Sequence, residues 1–293
     1  MIEVWQDDFE DRLRIRFYTH HSKCSQCLRH RLIIKKLGHC APARRAQHEL
    51  LQRHLSRQYK DRQCYWASRA RSRLSATTLG ECEVTCILDS MDAQKHSWPR
   101  SRAMSSKEFA SFCRPRLTST SLIIHGFSVT VALSPNICSA NSSRSTEILA
   151  HGFSQLSTRL DLRKVRICIQ ADNCTKEIKN NGTLRLIGMW TALRKIAGGE
   201  LSFLSSGHSH EDIDAMFNLL RSCIESHREL WTPESFRSCI ESFFEDPKNR
   251  PFEPHRKVLL MSKFRDWTLD YNLDRMIFHL DLFCFELLYV TQL

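Results

Sequence analysis

Acidic residues occur at three places where a strand is expected to end or a helix to begin. Asp89 closes the apolar run EVTCILD, and Asp172 follows the apolar run VRICIQ after one alanine. Glu211 lies at the start of a predicted helix, in the segment GHSHEDID. Carboxylates that meet in space repel one another unless a divalent cation lies between them. Such a cluster would bind Mg²⁺ or Mn²⁺ and support metal-dependent cleavage or strand transfer at a phosphodiester.

The identity of the third acid stays open, because the predicted helix start is rich in acids. Asp172 and Glu211 are 39 positions apart, which is similar to the separation of the last two acids in retroviral-type integrases and many transposases. This spacing favours Glu211. Asp214, one helical turn further, and Asp212 are the alternatives. Acids also interact favourably with the dipole at any helix start, so ordinary capping explains them equally well.

Polar residues near these acids are candidates for supporting roles. Amides and lysines after the second acid can orient it or donate hydrogen bonds to phosphate oxygens. Asp92 is an alternative to Asp89, and Lys95 and Arg100 can contact a nucleic-acid backbone. Capping and surface roles explain the same residues. The supporting set is Asp92, Asn173, Lys179, Asn180, His208, His210 and Asp212.

A zinc-dependent hydrolase is an alternative from a different class. His208, His210 and Asp212 form the pattern HxHxD after an apolar run, which is similar to the zinc motif HxHxDH of metallo-β-lactamase-type hydrolases. Ile213 occupies the final histidine position, and no matching set of histidines is evident elsewhere in the sequence. The acidic cluster is therefore the favoured interpretation.

A separate group of metal-ligand residues lies near the N-terminus. Cys24, Cys27, His30 and Cys40 have the spacing C-x2-C-x2-H-x9-C. A single CxxC is compatible with a structural Zn²⁺ site and equally with reduced, partly buried thiols. Either interpretation concerns the scaffold rather than catalysis.

The order of the predicted elements indicates how the acids can meet. Runs at 83–89 and 121–133, the latter bent at Gly126, predict three strands. They are followed by a helix (144–160), a strand (165–170), a helix (175–197), a strand (200–204) and a helix (209–223). A three-strand meander followed by alternating helices and strands resembles the ribonuclease-H-like mixed α/β fold. In that fold the first strand lies beside the fourth, so Asp89 and Asp172 are expected to be neighbours.

Positive charge is concentrated ahead of these strands. Residues 12–80 contain 17 Lys and Arg but only two acids, whereas residues 81–293 contain 26 basic and 25 acidic residues. Residues 42–73 predict one long helix with a basic remainder and an apolar stripe formed by Leu50, Leu51, Leu55, Tyr59 and Trp66. This asymmetry predicts a polyanionic partner, with nucleic acid favoured over anionic lipid, although a solvated basic helix is the alternative. Between the nucleic acids, we expect DNA rather than RNA. The candidate binding residues are Arg44, Arg45, Arg53, Arg57, Lys60, Arg62, Arg69, Arg71, Arg73, Lys95 and Arg100.

Cysteine usage and apolar segments indicate the compartment. Thirteen scattered cysteines predict free thiols in a reducing environment. The N-terminus is acidic, unlike a signal peptide, and the apolar stretch 276–290 is too short to span a membrane. We therefore expect a nuclear or cytoplasmic protein that is neither secreted nor membrane-bound and that can form homo-oligomers.

Four ordered motifs carry a family resemblance. They are ILDSMDAQKHSWPR (87–100), HG (125–126), IQADNCTKEIKNN (169–181) and LSFLSSGHSHEDIDAMF (201–217). Together with KCSQC and the basic helix, they resemble a large eukaryotic, transposon-associated family with a domain of unknown function. The resemblance implies a transposase- or integrase-like activity and adds Glu177 and Gly207 to the positions above. Ser90 stands where the family commonly has Gly.

These observations predict three segments: a basic helical segment (1–80), an α/β domain (82–225) and a mainly helical extension with an apolar tail (226–293). The leading hypothesis is a transposase-derived nucleic-acid-binding protein in which Asp89, Asp172 and Glu211 bind Mg²⁺ or Mn²⁺. The alternative is a catalytically inactive relic or a domesticated DNA-binding module with the same fold.

Overall fold

The computed structural model of the chain describes residues 24–38, 40–77, 82–91, 97–101, 107, 113–135, 141–172, 181–204, 212–227, 229–247 and 253–261, with the backbone alone at 141–143, 172, 181 and 204. The chain divides into two compact units, residues 1–54 and 55–293. The mixed α/β class expected from the sequence is confirmed.

The first unit contains helix α1 (Ser25–Lys36) and the first part of helix α2 (Ala41–Ser75). Gly38, with φ of +48°, follows the last turn of α1 in the left-handed region that glycine adopts without strain. The Cys40 N–H then donates to the Leu37 carbonyl at 3.0 Å and closes the turn. The two helices consequently run antiparallel in this unit.

A six-stranded mixed sheet forms the centre of the second unit. Its order is β6 (Gly198–Leu204), β5 (Val165–Asp172), β1 (Cys82–Met91), β3 (Leu117–Ile124), β4 (Ser128–Pro135) and β8 (His255–Leu260). The β1–β3 and β3–β4 pairs are antiparallel, and the other three are parallel. A separate two-stranded ribbon pairs β2 (Arg100–Ser101) with β7 (Glu229–Leu230).

Helices cover both faces of the sheet. Helices α3 (Asn141–Leu156) and α4 (Asn181–Ala192) contribute to the core that contains Leu88 of β1. Helices α5 (Asp212–Ser226) and α6 (Pro233–Glu245) contribute to the core that contains Ile87. Adjacent residues of β1 thus enter opposite cores, as the two-residue period of a strand requires.

The C-terminal extension is part of the sheet domain as far as residue 261. In this extension α6 is followed by β8, which pairs in parallel with β4. Thr232 and Ser235 form a capping box at the start of α6. The apolar stretch 276–290 lies outside the described residues.

The buried side of α2 differs from the expected apolar stripe. Its buried positions recur every seven residues, which is nearly two helical turns, and two of the four are polar. They are Leu51, Gln58, Tyr65 and Ser72. The expectation was wrong for three residues that are exposed instead: Leu50, Tyr59 and Trp66.

Candidate functional site

Asp89 and Asp172 occupy adjacent positions on neighbouring parallel strands. Leu88 of β1 is in register with Ala171 of β5, and each aspartate is the next residue of its strand. Neighbouring strands lie about 4.8 Å apart. The β1–β5 pairing therefore brings the backbones of the two predicted acids together near the carboxyl ends of both strands.

The surroundings of Asp89 are polar on the side of β3. Asp89 is half-buried and lies in register with Ser121. Its Oδ1 accepts a hydrogen bond from the Ser90 N–H at 2.8 Å. The Ser90 hydroxyl lies 2.8 Å from the Thr120 hydroxyl, which fixes the end of the strand. Ser90 thus has a defined role at the end of β1.

The acids at the start of α5 have different environments. Asp212 forms an ion pair with Arg69, and its Oδ2 lies 3.9 Å from Nδ1 of His125. Asp214 is half-buried one half-turn further along. Within the described residues, Asp89, Asp212 and Asp214 belong to no group of three potential metal ligands. The ion pair with Arg69 gives Asp212 a role in attaching α2.

Several predicted site residues lie outside the part of the chain that the structure describes. They are Asp92, Lys95, Asn173, Glu177, Lys179, Asn180, Gly207, His208, His210 and Glu211. Glu211 immediately precedes the first residue of α5, Asp212.

His125 lies at the centre of a buried polar network that the sequence did not reveal. It follows β3, is fully buried, and its Nε2 lies 2.8 Å from the Tyr65 hydroxyl of α2. Its Nδ1 lies 3.4 Å from Oε1 of Glu253. With Nδ1–H donating to that carboxylate, Nε2 accepts from the tyrosine. The network joins α2, the β3–β4 turn and the segment before β8.

Glu253 is the acidic partner in this network. Burial raises its pKa, but hydrogen bonds from His125, Arg73 and the Gly126 N–H lower it, and the net shift of the pKa is downward. The Arg73 guanidinium lies 3.0 Å from Oε1, and the Gly126 N–H lies 2.8 Å from Oε2. Glu253 is therefore held as a carboxylate in the interior.

The backbone conformation and the close surroundings of Gly126 explain why the second residue of the HG motif is glycine. Its φ is +87°, and a Cβ atom there would lie 3.0 Å from both the Arg73 Cα and the Ala76 Cβ. The Ser72 hydroxyl donates to the His125 carbonyl at 2.7 Å in the same contact. The motif thus allows the C-terminal end of α2 to approach the β3–β4 turn closely.

The basic residues of α2 fall into two groups. Arg69, Arg71 and Arg73 form ion pairs with Asp212, Glu83 and Glu253. Arg62 is half-buried. The remaining candidates are exposed: Arg44, Arg45, Arg53, Arg57 and Lys60. Arg100 lies on β2, and its positive charge acts to lower the pKa of Cys239 in α6.

A cleft of about 460 Å³ lies between α2 and the strands β1, β5 and β6. Gln170 and Ser202, two residues before the ends of their strands, form part of its lining, so it approaches the strand end that carries Asp172. Its charged walls contain two ion pairs, Arg71 with Glu83 and Arg166 with Glu200. Because these charges are paired, this cleft provides no strong positive surface for phosphate.

The N-terminal cysteines form part of a potential metal site. Cys24, Cys27 and His54 offer ligand atoms that all lie within 4.8 Å of one another, with 3.4 Å between the Cys24 Sγ and the His54 Nε2. The expected ligands His30 and Cys40 are not in this group. Nδ1 of His30 instead interacts with the Gln47 amide, and Cys40 is exposed.

The arrangement of α1 and α2 around their connecting turn explains why His54 is the third potential ligand. Cys24 and His54 lie at nearly equal distances along the chain from the turn at 37–40, so antiparallel helices bring them together. Burial raises the pKa of Cys27, and the neighbouring Cys24 raises it further. A metal ion would have to displace the thiol proton, which is the usual coupling of zinc binding to pH. The donor set fits Zn²⁺.

The described residues define a mixed α/β protein with two strand-end acids and a separate Cys/His group. The chain belongs to the family described as Domain of unknown function (DUF7869), which matches residues 117–289. The match includes the positions of Asp172 and Glu211 and begins after Asp89. No curated protein matches the sequence. None of the described helices has the length and apolar character needed to cross a membrane.

Proposed function

We propose that this chain is a transposase-derived, nucleic-acid-binding protein whose sheet domain cleaves or transfers phosphodiester strands with a divalent cation. The observation that supports this most strongly is the register of β1 and β5, which brings the backbones of Asp89 and Asp172 together on parallel strands. Two acids separated by 82 residues of sequence meet there only because of the fold.

The strand order supports a ribonuclease-H-like fold for this domain. The first three long strands, β1, β3 and β4, form an antiparallel meander, and β5 and β6 then add in parallel on the other side of β1. Helices α3 and α4 provide the crossovers that parallel pairing requires. Strand β8 is an addition beyond that arrangement.

The donor atoms fit a hard cation. Carboxylate oxygens are the preferred protein ligands of Mg²⁺ and Mn²⁺. Asp89 and Asp172 would hold the ion together with Glu211, which immediately precedes α5. A bound ion would activate a water or a 3′-hydroxyl and stabilise the leaving oxygen. The role of the chain is to fix its acids at adjacent strand ends.

The exposed basic residues of α2 are the proposed DNA contacts. Arg44, Arg45 and Arg53 are exposed in the first unit, and Arg57 and Lys60 are exposed in the second. Arg69, Arg71 and Arg73 are assigned to attaching the helix, because each is paired with an acid. Positive side chains bind phosphates without reading sequence, so this surface predicts salt-sensitive affinity.

Strand cleavage by the purified full chain tests the activity. We expect nicking of supercoiled DNA with Mg²⁺ or Mn²⁺, at a rate at least about 100-fold lower for Asp172→Asn, because the charge that binds the ion is lost. Asp161→Asn is the matched control, since Asp161 is an exposed acid that pairs with Arg163. Equal nicking by wild type and Asp172→Asn would assign the cleavage to a contaminant and contradict the proposal.

A DNA-binding module without cleavage is the second candidate. It is favoured by one observation: the exposed cations lie on α2, whereas the carboxylates lie on the sheet, so binding does not depend on the acids. Salt-sensitive DNA binding by a wild-type chain that nicks no DNA in Mg²⁺ or Mn²⁺ would select this candidate.

A further inference from the structure

Three ligand side chains meet between α5 and α6, far in sequence from the N-terminal cysteines. Cys223 belongs to the last turn of α5, His227 follows that helix, and Cys239 belongs to α6. Their ligand atoms all lie within 4.8 Å of one another. We propose that Cys223, His227 and Cys239 form a second metal site, which binds Zn²⁺ or a similar thiolate-preferring cation.

The distances match tetrahedral coordination. The two sulfurs are 3.9 Å apart, and the Cys239 Sγ lies 3.3 Å from Nδ1 of His227. Zinc bonds of about 2.3 Å to sulfur and about 2.0 Å to nitrogen place two sulfurs about 3.8 Å apart and sulfur and nitrogen about 3.5 Å apart. The two pairs that involve Cys239 therefore need shifts of only a few tenths of an ångström, and the Cys223–His227 pair lies within 4.8 Å.

Local structure explains why these residues converge. Cys223 and His227 are four residues apart, and the His227 N–H donates to the Cys223 carbonyl, which continues the helical geometry. The short strand β7 begins two residues after His227 and pairs with β2, and the capping box then starts α6. The start of α6 is thus fixed, and Cys239 lies on its buried side.

On metal binding, Nδ1 of His227 would lose its hydrogen bond to a backbone carbonyl and would bind the ion instead. Its Nδ1 lies 2.9 Å from the Cys223 carbonyl, so the proton on this nitrogen can be donated to that oxygen. Because His227 is exposed, exchange with solvent can move this proton to Nε2 and leave Nδ1 free to bind the ion. The imidazole is then neutral, as zinc ligation requires.

The site has a buried side and an open side. Cys239 is 3% exposed and Cys223 is half-buried, whereas His227 is exposed. Among the described residues, no fourth Cys, His, Asp or Glu completes the group. Three protein ligands with an accessible fourth position are typical of zinc sites that bind water or an external ligand. The ion would also connect α5 to α6.

The charges around the site are compatible with the binding of a divalent cation by two thiolates. Burial raises the pKa of Cys239 to about 12, Cys223 contributes to the rise, and the positive charge of Arg100 opposes it. Arg100 is held there by the register of β2 with β7, in which it pairs with Leu230. A dication with two thiolates and a neutral imidazole has no net charge. Binding would therefore replace the thiol protons of the two cysteines with the ion and release those protons to solvent.

Cobalt titration of the full-length, reduced chain tests the site. The Cys24→Ser/Cys27→Ser variant removes the N-terminal group and leaves the second group intact. We expect this variant to bind one Co²⁺ through thiolates, which thiolate-to-cobalt absorption in the near ultraviolet and tetrahedral d–d bands distinguish from any Co²⁺ bound by carboxylates. Adding His227→Ala should weaken binding at least about tenfold, since even loss of a hydrogen bond to a metal ligand has such an effect.

Controls separate metal binding from folding. His227 is exposed, so its replacement leaves both cores intact, and circular dichroism checks this directly. Cys113→Ser removes an exposed cysteine outside both groups and should leave the titration unchanged. The proposal would be overturned by a folded Cys24→Ser/Cys27→Ser chain that binds no cobalt, or by equal cobalt affinity with and without His227.

Discussion

The Tyr65 hydroxyl lies 2.8 Å from Nε2 of His125, and both side chains are buried. This contact links the basic helix α2 to the turn between β3 and β4. Ion pairs of Arg69 with Asp212 and of Arg73 with Glu253 surround it. The C-terminal part of α2 is therefore attached to the sheet domain by these polar contacts together with the packing of Tyr65 in the core that contains Ile87.

Tyr65→Phe should destabilise the sheet domain by about 1–3 kcal/mol, because it leaves a buried imidazole nitrogen without a hydrogen-bond partner. Tyr59→Phe is the matched control, since Tyr59 lies on the same helix but is 55% exposed. Urea unfolding monitored by circular dichroism measures both changes. Equal midpoints for the two variants would show that the buried contact contributes nothing.

Glu253→Gln should reduce the dependence of stability on pH in the acid range. The pKa of Glu253 is lowered in the fold, so its contribution is present above the pKa of an unfolded glutamic acid, about 4.3. That contribution is lost as the pH falls through the folded value. Between pH 7 and pH 3, the free energy of unfolding should fall less for Glu253→Gln than for the exposed control Glu245→Gln. Identical pH profiles would contradict the role of Glu253.

His54→Ala should weaken Zn²⁺ binding at the N-terminal group, whereas His30→Ala should not. His54 lies 3.4 Å from the Cys24 sulfur, while His30 interacts with Gln47. Competition with a chromophoric chelator measures affinity in a Cys223→Ser background, which removes the second group. We expect a loss of at least about tenfold for His54→Ala. A larger loss of Zn²⁺ affinity for His30→Ala than for His54→Ala would instead support His30 as the ligand, as expected from the sequence.

Arg53→Ala/Arg57→Ala should weaken DNA binding and reduce its salt dependence. Each lost phosphate contact lowers the slope of log K against log salt by about 0.9. Lys164→Ala/Lys195→Ala removes the same charge from exposed positions outside α2 and should have a smaller effect. Fluorescence anisotropy at several salt concentrations distinguishes the two pairs. Equal losses of DNA affinity in the two double variants would indicate that the net charge of the protein alone attracts DNA.

The sheet could largely be predicted from the sequence, because β-branched apolar runs and the order of strands and helices restrict the topology. The neighbouring positions of Asp89 and Asp172 follow from that order. The pairing of β8 with β4 could not be predicted, since nothing local in RKVLLM specifies a partner about 125 residues earlier. The ribbon of β2 and β7 is too short to show an alternating pattern.

The buried contacts of α2 could not be predicted, because two of its four buried residues, Gln58 and Ser72, are polar. The role of His125 depends on Glu253, which is 128 residues away in sequence. His54 could have been found as a ligand by counting residues on each side of the turn at 37–40. The spacing of CxxC with His30 favoured a nearer histidine, but that residue faces Gln47.

Counting bound Mn²⁺ by electron paramagnetic resonance tests the shared cation site of Asp89 and Asp172 most directly. The Cys24→Ser/Cys27→Ser/Cys223→Ser chain, in which both proposed thiolate sites have lost cysteine ligands, serves as the parent protein. We predict Mn²⁺ binding to this parent that Mg²⁺ displaces and that either Asp89→Asn or Asp172→Asn weakens at least about tenfold, since each removes a charged ligand. Unchanged Mn²⁺ binding in both aspartate variants would contradict the shared site.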